Sequence, residues 1–386
     1  MNFFKFFKEK NTVITNLNGL RIDIPRDWKI VKLEKVAKVG SGRKPSVQNK
    51  GNVPIYGKSL LGFTTKPMIK SGEVIVIANF PRPFSLQVVT APIWITSGFL
   101  YILPKKNVVL AEYLKLFLEF LGPDLILPSG SRVPRISARR LTSLDVILPP
   151  IEEQKAIVKI FQLFDKALET GEETVNLLSK LKRASIDITL TKFLEHYPRV
   201  KVGDIATLVK RSPKSSNSTS LPIISAARLP SGSIYLHLED LPEEDNKTKG
   251  RTLFKAGELL YARLNPKLDR AVVSTFDGLA SADIFVISLH NERVLPEYLV
   301  MVLHSSDFLN YAERVSSSTV LPRMSWKDLS NFQFPLPPLD VQRNVVSSII
   351  KLDELETLKI KKSNLLKDLR LYLLDTLITG KVRVNI

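Results

Sequence analysis

The sequence predicts an α/β (α+β) fold of two similar globular domains separated by two long α-helices packed as an antiparallel coiled coil, with an internal pseudo-two-fold repeat. Three observations lead there. Short motifs recur at a nearly constant offset. Apolar runs of strand length follow glycine turns in both copies. A Pro-Pro pair in each copy opens a stretch whose apolar residues step by three and four.

The repeat comes first because the other elements are read against it. Pro134-Arg135-Ile136-Ser137 recurs as Pro322-Arg323-Met324-Ser325, and Leu148-Pro149-Pro150 as Leu336-Pro337-Pro338, both 188 residues on. Gln154, Asp165 and Leu177-Leu178 fall on Gln342, Asp353 and Leu365-Leu366 at the same 188. Upstream, Ser71-Gly72-Glu73 matches Ala256-Gly257-Glu258 and Glu112-Tyr113-Leu114 matches Glu297-Tyr298-Leu299, both at 185. Val31-Lys32 matches Val200-Lys201 at 169. One unit is therefore used twice, with extra residues early in the second copy.

Within each copy, 73–78, 258–262, 271–274 and 283–288 read as buried strands, being short, apolar and bounded by turns. Residues 112–120 and 297–303 read as short helices. Pro149-Pro150 and Pro337-Pro338 stand where a helix start tolerates a missing N–H, and Glu152-Glu153 suit the positive end of the first helix. From there Ile157, Phe161, Phe164, Leu168, Val175, Leu178, Ser185 and Ile188 trace one seam, and Val345, Ile349, Leu352, Leu366, Leu369 and Leu373 the other. Gly171 interrupts the first seam at a cost of about 1 kcal/mol. An unbroken helix over 151–193 would be roughly 60 Å long. Its natural cover is its own duplicate; two shorter helices broken at Gly171 are the alternative.

The 386 residues carry 56 Lys+Arg against 38 Asp+Glu, a net charge of +18. The excess is uneven: +14 in 1–150, −1 in 151–195, +2 in 196–338 and +3 in 339–386. Such charge favours a polyanion partner, most often nucleic acid. Cysteine is absent, which excludes a disulfide framework, a thiol nucleophile and a Cys-based zinc site. The apolar stretch 88–103 is broken by Pro92, Ser97 and Gly98, too short to span a bilayer, and the first residues lack a signal peptide's apolar core. A soluble, cytoplasmic protein with no membrane partner is expected.

The order of these elements, a globular part closed by Pro-Arg-(Ile/Met)-Ser, a hydrophobic-Pro-Pro element and Gln154 or Gln342 leading a long helix, resembles the specificity (HsdS) subunit of type I restriction–modification systems. Val53-Pro54-Ile55-Tyr56-Gly57 followed by Leu61-Gly62 is similar to a stretch common in the first halves of that family. The resemblance runs from about Trp28 to Gly380. It implies a target-recognition domain 1 at 1–150, a central spacer helix at 151–195, a target-recognition domain 2 at 196–338 and a C-terminal spacer helix at 339–386. It further implies that each recognition domain reads one half of a bipartite double-stranded DNA target, and that the helices fix the spacing and dock two DNA methyltransferase (modification) subunits. The subunit would be non-catalytic and without a cofactor; whether restriction subunits also join stays open. The second copy has Leu221-Pro222-Ile223-Ile224 in place of the Val53–Gly62 pattern, as expected if the two halves read different sequences. A coiled-coil interaction or scaffold protein with incidental charge is the alternative; a self-contained DNA-modifying enzyme is disfavoured.

Three motifs are set aside. Gly51–Ser59 ends in Gly-Lys-Ser, but its glycine spacing and Pro54 do not fit a phosphate-cradling loop. Asn79-Phe80-Pro81-Arg82 lacks the paired prolines of an amino-methyltransferase motif. The four histidines share no metal-ligand spacing. Gly40-Ser41-Gly42 reads as a turn that brings backbone close to a phosphate or another strand.

DNA contact calls for Lys and Arg against phosphates and for planar groups on loops against bases. The candidates are Arg43, Lys44, Lys58, Arg82, Arg132 and Arg135 in the first copy. In the second they are Lys210, Arg211, Lys214, Arg263, Asn265, Lys267, Arg270 and Arg323. Arg135 and Arg323 match across the repeat; a shared DNA contact and a shared structural pairing with a carboxylate at the domain–helix joint are both open.

Overall fold

The computed structural model describes residues 4–6, 12–46, 50–78, 85–126, 136–212, 221–241, 252–290, 292–316 and 321–384. It has two compact units, Met1–Glu169 with Asn364–Ile386, and Thr170–Ser363. The division runs through both long helices, Ile151–His196 and Leu339–Ile378, so each unit holds one globular part and a portion of each helix.

In the first unit a four-stranded antiparallel sheet has the spatial order Ala37–Ser41, Phe99–Pro104, Glu73–Ala78, Leu86–Thr90. The strand Glu73–Ala78 reads as a continuous apolar run because both its faces are covered. Ile75 and Ile77 join the main core with Tyr113, Leu114 and Phe117 of the helix Ala111–Ile126, while Val74 and Val76 face a smaller core with Ile93 and Ile95. A three-stranded sheet, Trp94–Ile95, Val53–Tyr56, Leu60–Thr64, lies beside it, its first pair parallel. The hairpin Thr12–Leu17/Leu20–Pro25 closes on Asn18-Gly19, both at positive φ as a two-residue hairpin turn requires.

The second unit repeats the plan. Its larger sheet runs Ala206–Leu208, Ile284–Leu289, Leu259–Ala262, Ala271–Ser274, with Tyr235–Leu236 added at the edge. Leu259 and Tyr261 face one core and Leu260 and Ala262 another. The smaller sheet differs: here Gly278–Ala280 is central between Ile223–Ile224 and Thr252–Phe254.

The joints between globular part and helix are the same bond for bond. In the first unit Gln154 Oε1 accepts from Leu110 N at 3.0 Å, and its Nε2 donates to the Val108 and Pro149 carbonyls at 3.2 and 2.9 Å. In the second, Gln342 accepts from Leu295 N at 2.9 Å and donates to the Arg293 and Pro337 carbonyls, each at 2.8 Å. Both glutamines are fully buried. Tyr113 and Tyr298 likewise donate to the carbonyls of Ile147 and Pro335, and Ser137 and Ser325 cap the helices Ala138–Thr142 and Trp326–Asn331.

The helices pair antiparallel. In the second unit Lys182 Nζ lies 2.5 Å from Asp353 Oδ1 and 2.7 Å from Glu356 Oε2, while Gly171, earlier on its helix, sits against Ser363, later on its own. In the first unit Arg370 Nε donates to Asp165 Oδ1 at 2.7 Å and its Nη2 to Glu119 at 3.1 Å. The two pairs are repeat mates, since Arg370 follows Lys182, and Asp353 follows Asp165, by 188. Ile157, Phe161, Val346 and Ile349 are buried on the seam. Ile188 and Leu369 are not: they are 58% and 45% exposed, and Ile186, Leu190 and Leu374 take the inward places.

Gly171 does not break the first helix. A Cβ there would stand 2.9 Å from Ser363 Oγ, so the glycine lets the helices approach. Gly171→Leu should therefore cost about 1–3 kcal/mol in denaturant unfolding by overpacking. Gly171→Ala, which needs only the Ser363 hydroxyl to turn, should cost far less; equal losses would contradict a close approach.

The second helix stops short of the expected end. Gly380, at φ +74, turns the chain away, and a Cβ on it would strike the Pro25 ring at 2.5 Å. Val382–Val384 then pairs antiparallel with Phe4–Phe6. Among the described residues no helix is long and apolar enough to cross a membrane.

Candidate nucleic-acid interface

In both units basic residues follow the first strand of the larger sheet. In the first unit this is Arg43-Lys44, after Ala37–Ser41. The Gly40-Ser41-Gly42 segment is the end of that strand and not a turn: a Cβ on Gly40 would meet the Tyr101 ring at 2.4 Å, and one on Gly42 the Thr96 carbonyl at 2.0 Å. The close approach is thus to neighbouring strands. Arg43 N donates to the Ile95 carbonyl, Trp94 Nε1 to the Arg43 carbonyl at 2.6 Å, and the guanidinium lies 5.6 Å from the Trp94 ring centre. Lys58 sits in the turn between Val53–Tyr56 and Leu60–Thr64, its carbonyl bonded to Gln87. Arg43, Lys44 and Lys58 are exposed along the small sheet. Arg82, Arg132 and Arg135 lie outside the described residues.

In the second unit Lys210 is exposed, whereas Arg211 is engaged by Glu258. Lys214 lies outside the described residues. The loop 263–270, joining the adjacent strands Leu259–Ala262 and Ala271–Ser274, brings most of the others together. Leu264 bridges to Arg323, Met324 N donates to the Arg263 carbonyl, and Asn265 N donates to the Pro322 carbonyl. Arg263 lies 4.9 Å from the Phe285 ring centre, with its Nε buried and without a hydrogen-bond partner among the described residues. Burial, with the like charge of Arg323, lowers its guanidinium from the ordinary value against the pull of Asp283. Arg323 Nη2 reaches Asp283 at 3.2 Å, and Lys267 pairs with Glu313 at 2.6 Å in an exposed contact that a phosphate could replace at little cost. Arg270 is turned inward, donating to the Ala226 carbonyl. The carboxylate for Arg323 is thus within the sheet domain, not at the helix joint.

A buried network that the sequence reading passed over stands behind this loop. Asp269 Oδ1 lies 2.6 Å from His304 Nδ1 and its Oδ2 2.5 Å from Arg183 Nη2; His304 Nε2 is 2.9 Å from the Ser233 carbonyl. Burial alone would raise the Asp269 carboxyl, but His304 and Arg183 outweigh it and hold it below the usual carboxylate range. Among the described residues no group of three or more His, Cys, Asp or Glu is placed to hold a metal ion.

The long helices also expose apolar residues. Leu177 and Leu181 in the second unit are 66% and 52% exposed, and their repeat mates in the first, Leu365 and Leu369, 69% and 45%.

Comparison with known proteins accounts for both halves. A family model for the type I restriction modification DNA specificity domain matches residues 25–177 and again 195–368. The MjaVIII specificity subunit of a type I restriction enzyme from Methanocaldococcus jannaschii is 23% identical over 99% of this chain and 98% of its own length. The EcoDI specificity subunit from Escherichia coli is 25% identical over 85% and 82%. The crystal structure of a type I restriction–modification S subunit from M. genitalium has the same fold, with a TM-score of 0.58 at 15% identity over 93% of this chain and 96% of that one. With the domain matched twice across a duplicated frame, the chain belongs to the type I restriction–modification DNA specificity family.

Proposed function

We propose that this chain is the DNA sequence-specificity subunit of a type I restriction–modification complex, in which the globular parts within 1–150 and 196–338 each read one half of a bipartite double-stranded DNA target. Its part is recognition, and the chemistry belongs to its partners. The reading rests on one observation above all. The two units repeat their joints bond for bond, at Gln154 and Gln342, while their small sheets and basic loops differ. A common frame with two unlike exposed surfaces suits two different half-sites. The helices then set the spacing and dock two methyltransferase subunits, with restriction subunits added where the complex cuts, all in the cytoplasm. In support of the assembly, a solved structure titled for complex assembly and conformational transition of the type I restriction–modification system aligns at a TM-score of 0.53.

Methylome sequencing of cells carrying this chain with its methyltransferase should show a split motif with a fixed gap. A continuous motif, or none, would overturn the reading. The purified complex should also lose DNA affinity by about 10³-fold or more between 50 and 200 mM salt, as counterions released by several phosphate contacts are restored. The scaffold alternative expects little salt dependence.

A further inference from the structure

The network of Asp269, His304 and Arg183 has no part in the frame that the two units share. Counting back 185 residues, Asp269 falls on Phe84 and His304 on Glu119; counting forward 188, Arg183 falls on Leu371. Glu119 pairs with Arg370 instead. By sequence, the first unit has none of these three groups at the matched positions. A buried cluster of charges is a poor source of stability, since apolar packing of similar volume does as well or better. Its presence in one unit alone needs another reason.

The reason lies in the turn it anchors. Asn265 and Asp269, at φ +48 and +54, are two non-glycine residues in the left-handed region, and they flank the short turn Pro266–Leu268. Such strain persists where surrounding bonds over-determine the backbone. Here Asp269 N donates to the Pro266 carbonyl, the Asp269 carbonyl accepts from Gly232 N at 2.7 Å, and the carboxylate is held by His304 and Arg183. At the other end Asn265 N is held by Pro322. What the turn presents is the exposed side chain of Asn265, beside Lys267 and close to Arg263 and Arg323. A carboxamide on a rigid turn is the group that pairs bidentately with an adenine edge, and the cations around it suit the flanking phosphates.

We infer that Asn265 is a base-reading residue of the second recognition domain, and that Asp269, clamped by His304 and Arg183, is the positioning residue that fixes it. The inference rests on the functional reading above and adds to it the residues that decide one half of the target.

The experiment uses the assembled chain and methyltransferase, once the motif of the unaltered complex is known. Methylation rates are measured on duplexes carrying the motif and each single-base change in either half. Asn265→Ala should reduce discrimination about tenfold or more at one or two positions of one half only, with only a small loss of thermal stability because alanine suits a positive φ less well than asparagine. Asp269→Asn should relax the same positions, and Arg183→Lys should do so less than Arg183→Met. Unchanged discrimination in Asn265→Ala would overturn the base-reading role. If Asp269→Asn lowered the melting temperature while the discrimination pattern stayed intact, the positioning role would fall. If the unaltered complex showed no split motif, the functional reading itself would fail, and this inference with it.

Discussion

Replacing Arg383 with Ala should destabilise the first unit by about 3–5 kcal/mol, because it strands a carboxylate in the core. Glu153, in the first turn of the first long helix, is 1% exposed. Arg383 grips it with both edges of its fork, Nε to Oε1 at 2.7 Å and Nη2 to Oε2 at 2.6 Å, while Nη1 reaches Asp27 and the guanidinium lies 5.7 Å from the Trp28 ring centre. Without the arginine, Glu153 keeps, among the described residues, the Trp28 indole N–H at 3.1 Å. Arg383→Lys should recover part of the loss, since it restores charge but not the bidentate geometry. The double change Arg383→Met with Glu153→Gln should cost less than Arg383→Ala, because no unpaired charge stays buried. Urea unfolding of the three variants decides the matter. A loss below 1 kcal/mol for Arg383→Ala would mean that the carboxylate finds water.

This contact joins residues 230 apart, a distance no local stretch of sequence reports. Local signals were enough for elements that are regular and covered on both sides. Glu73–Ala78 and Ala271–Ser274 read as strands because Val74–Ala78 and Ala271–Val273 are unbroken apolar runs, and each proves to sit between two cores. The long helices were legible from Pro-Pro and the three-four spacing. The chain after Gly380 looked like more helix, because its pairing partner lies at the opposite end of the sequence. Asn18-Gly19 is a hairpin turn of a kind that a local stretch of sequence can signal. Gly40 and Gly42 suggest a turn in the sequence because glycine's other use, making room for Tyr101 and Thr96, shows only with the neighbouring strand in place. The basic residues of the candidate interface were found by type and loop context, but Arg211 and Arg270 are turned to inner partners that no local window reveals. Asp269 escaped altogether, its partners His304 and Arg183 being 35 and 86 residues away. The repeat succeeded where local reading failed, because matched positions report a shared three-dimensional role without saying what it is.

That logic yields the other large expected effect. Leu177 and Leu365 are repeat mates, and both stand open at 66% and 69% exposure on long helices. Neither contributes much to its own unit's core, so Leu177→Glu and Leu365→Glu should leave folding nearly unchanged. If each is the centre of one methyltransferase docking site, a carboxylate there should weaken that site by at least about 2 kcal/mol, roughly a 30-fold rise in Kd. Each single variant should then assemble with one methyltransferase subunit, and the double variant with none. Native mass spectrometry at micromolar concentration reads this stoichiometry directly. Ile14→Glu, equally exposed but on the hairpin Thr12–Leu17/Leu20–Pro25, should assemble normally. Docking through apolar side chains should also survive the salt concentration that releases DNA, since burial of leucine is not screened. A double variant that still carries two methyltransferase subunits would remove the helices' exposed leucines from the interface. Loss of both subunits in a single variant would show instead that the two sites are coupled, and that the repeat does not divide the assembly into independent halves.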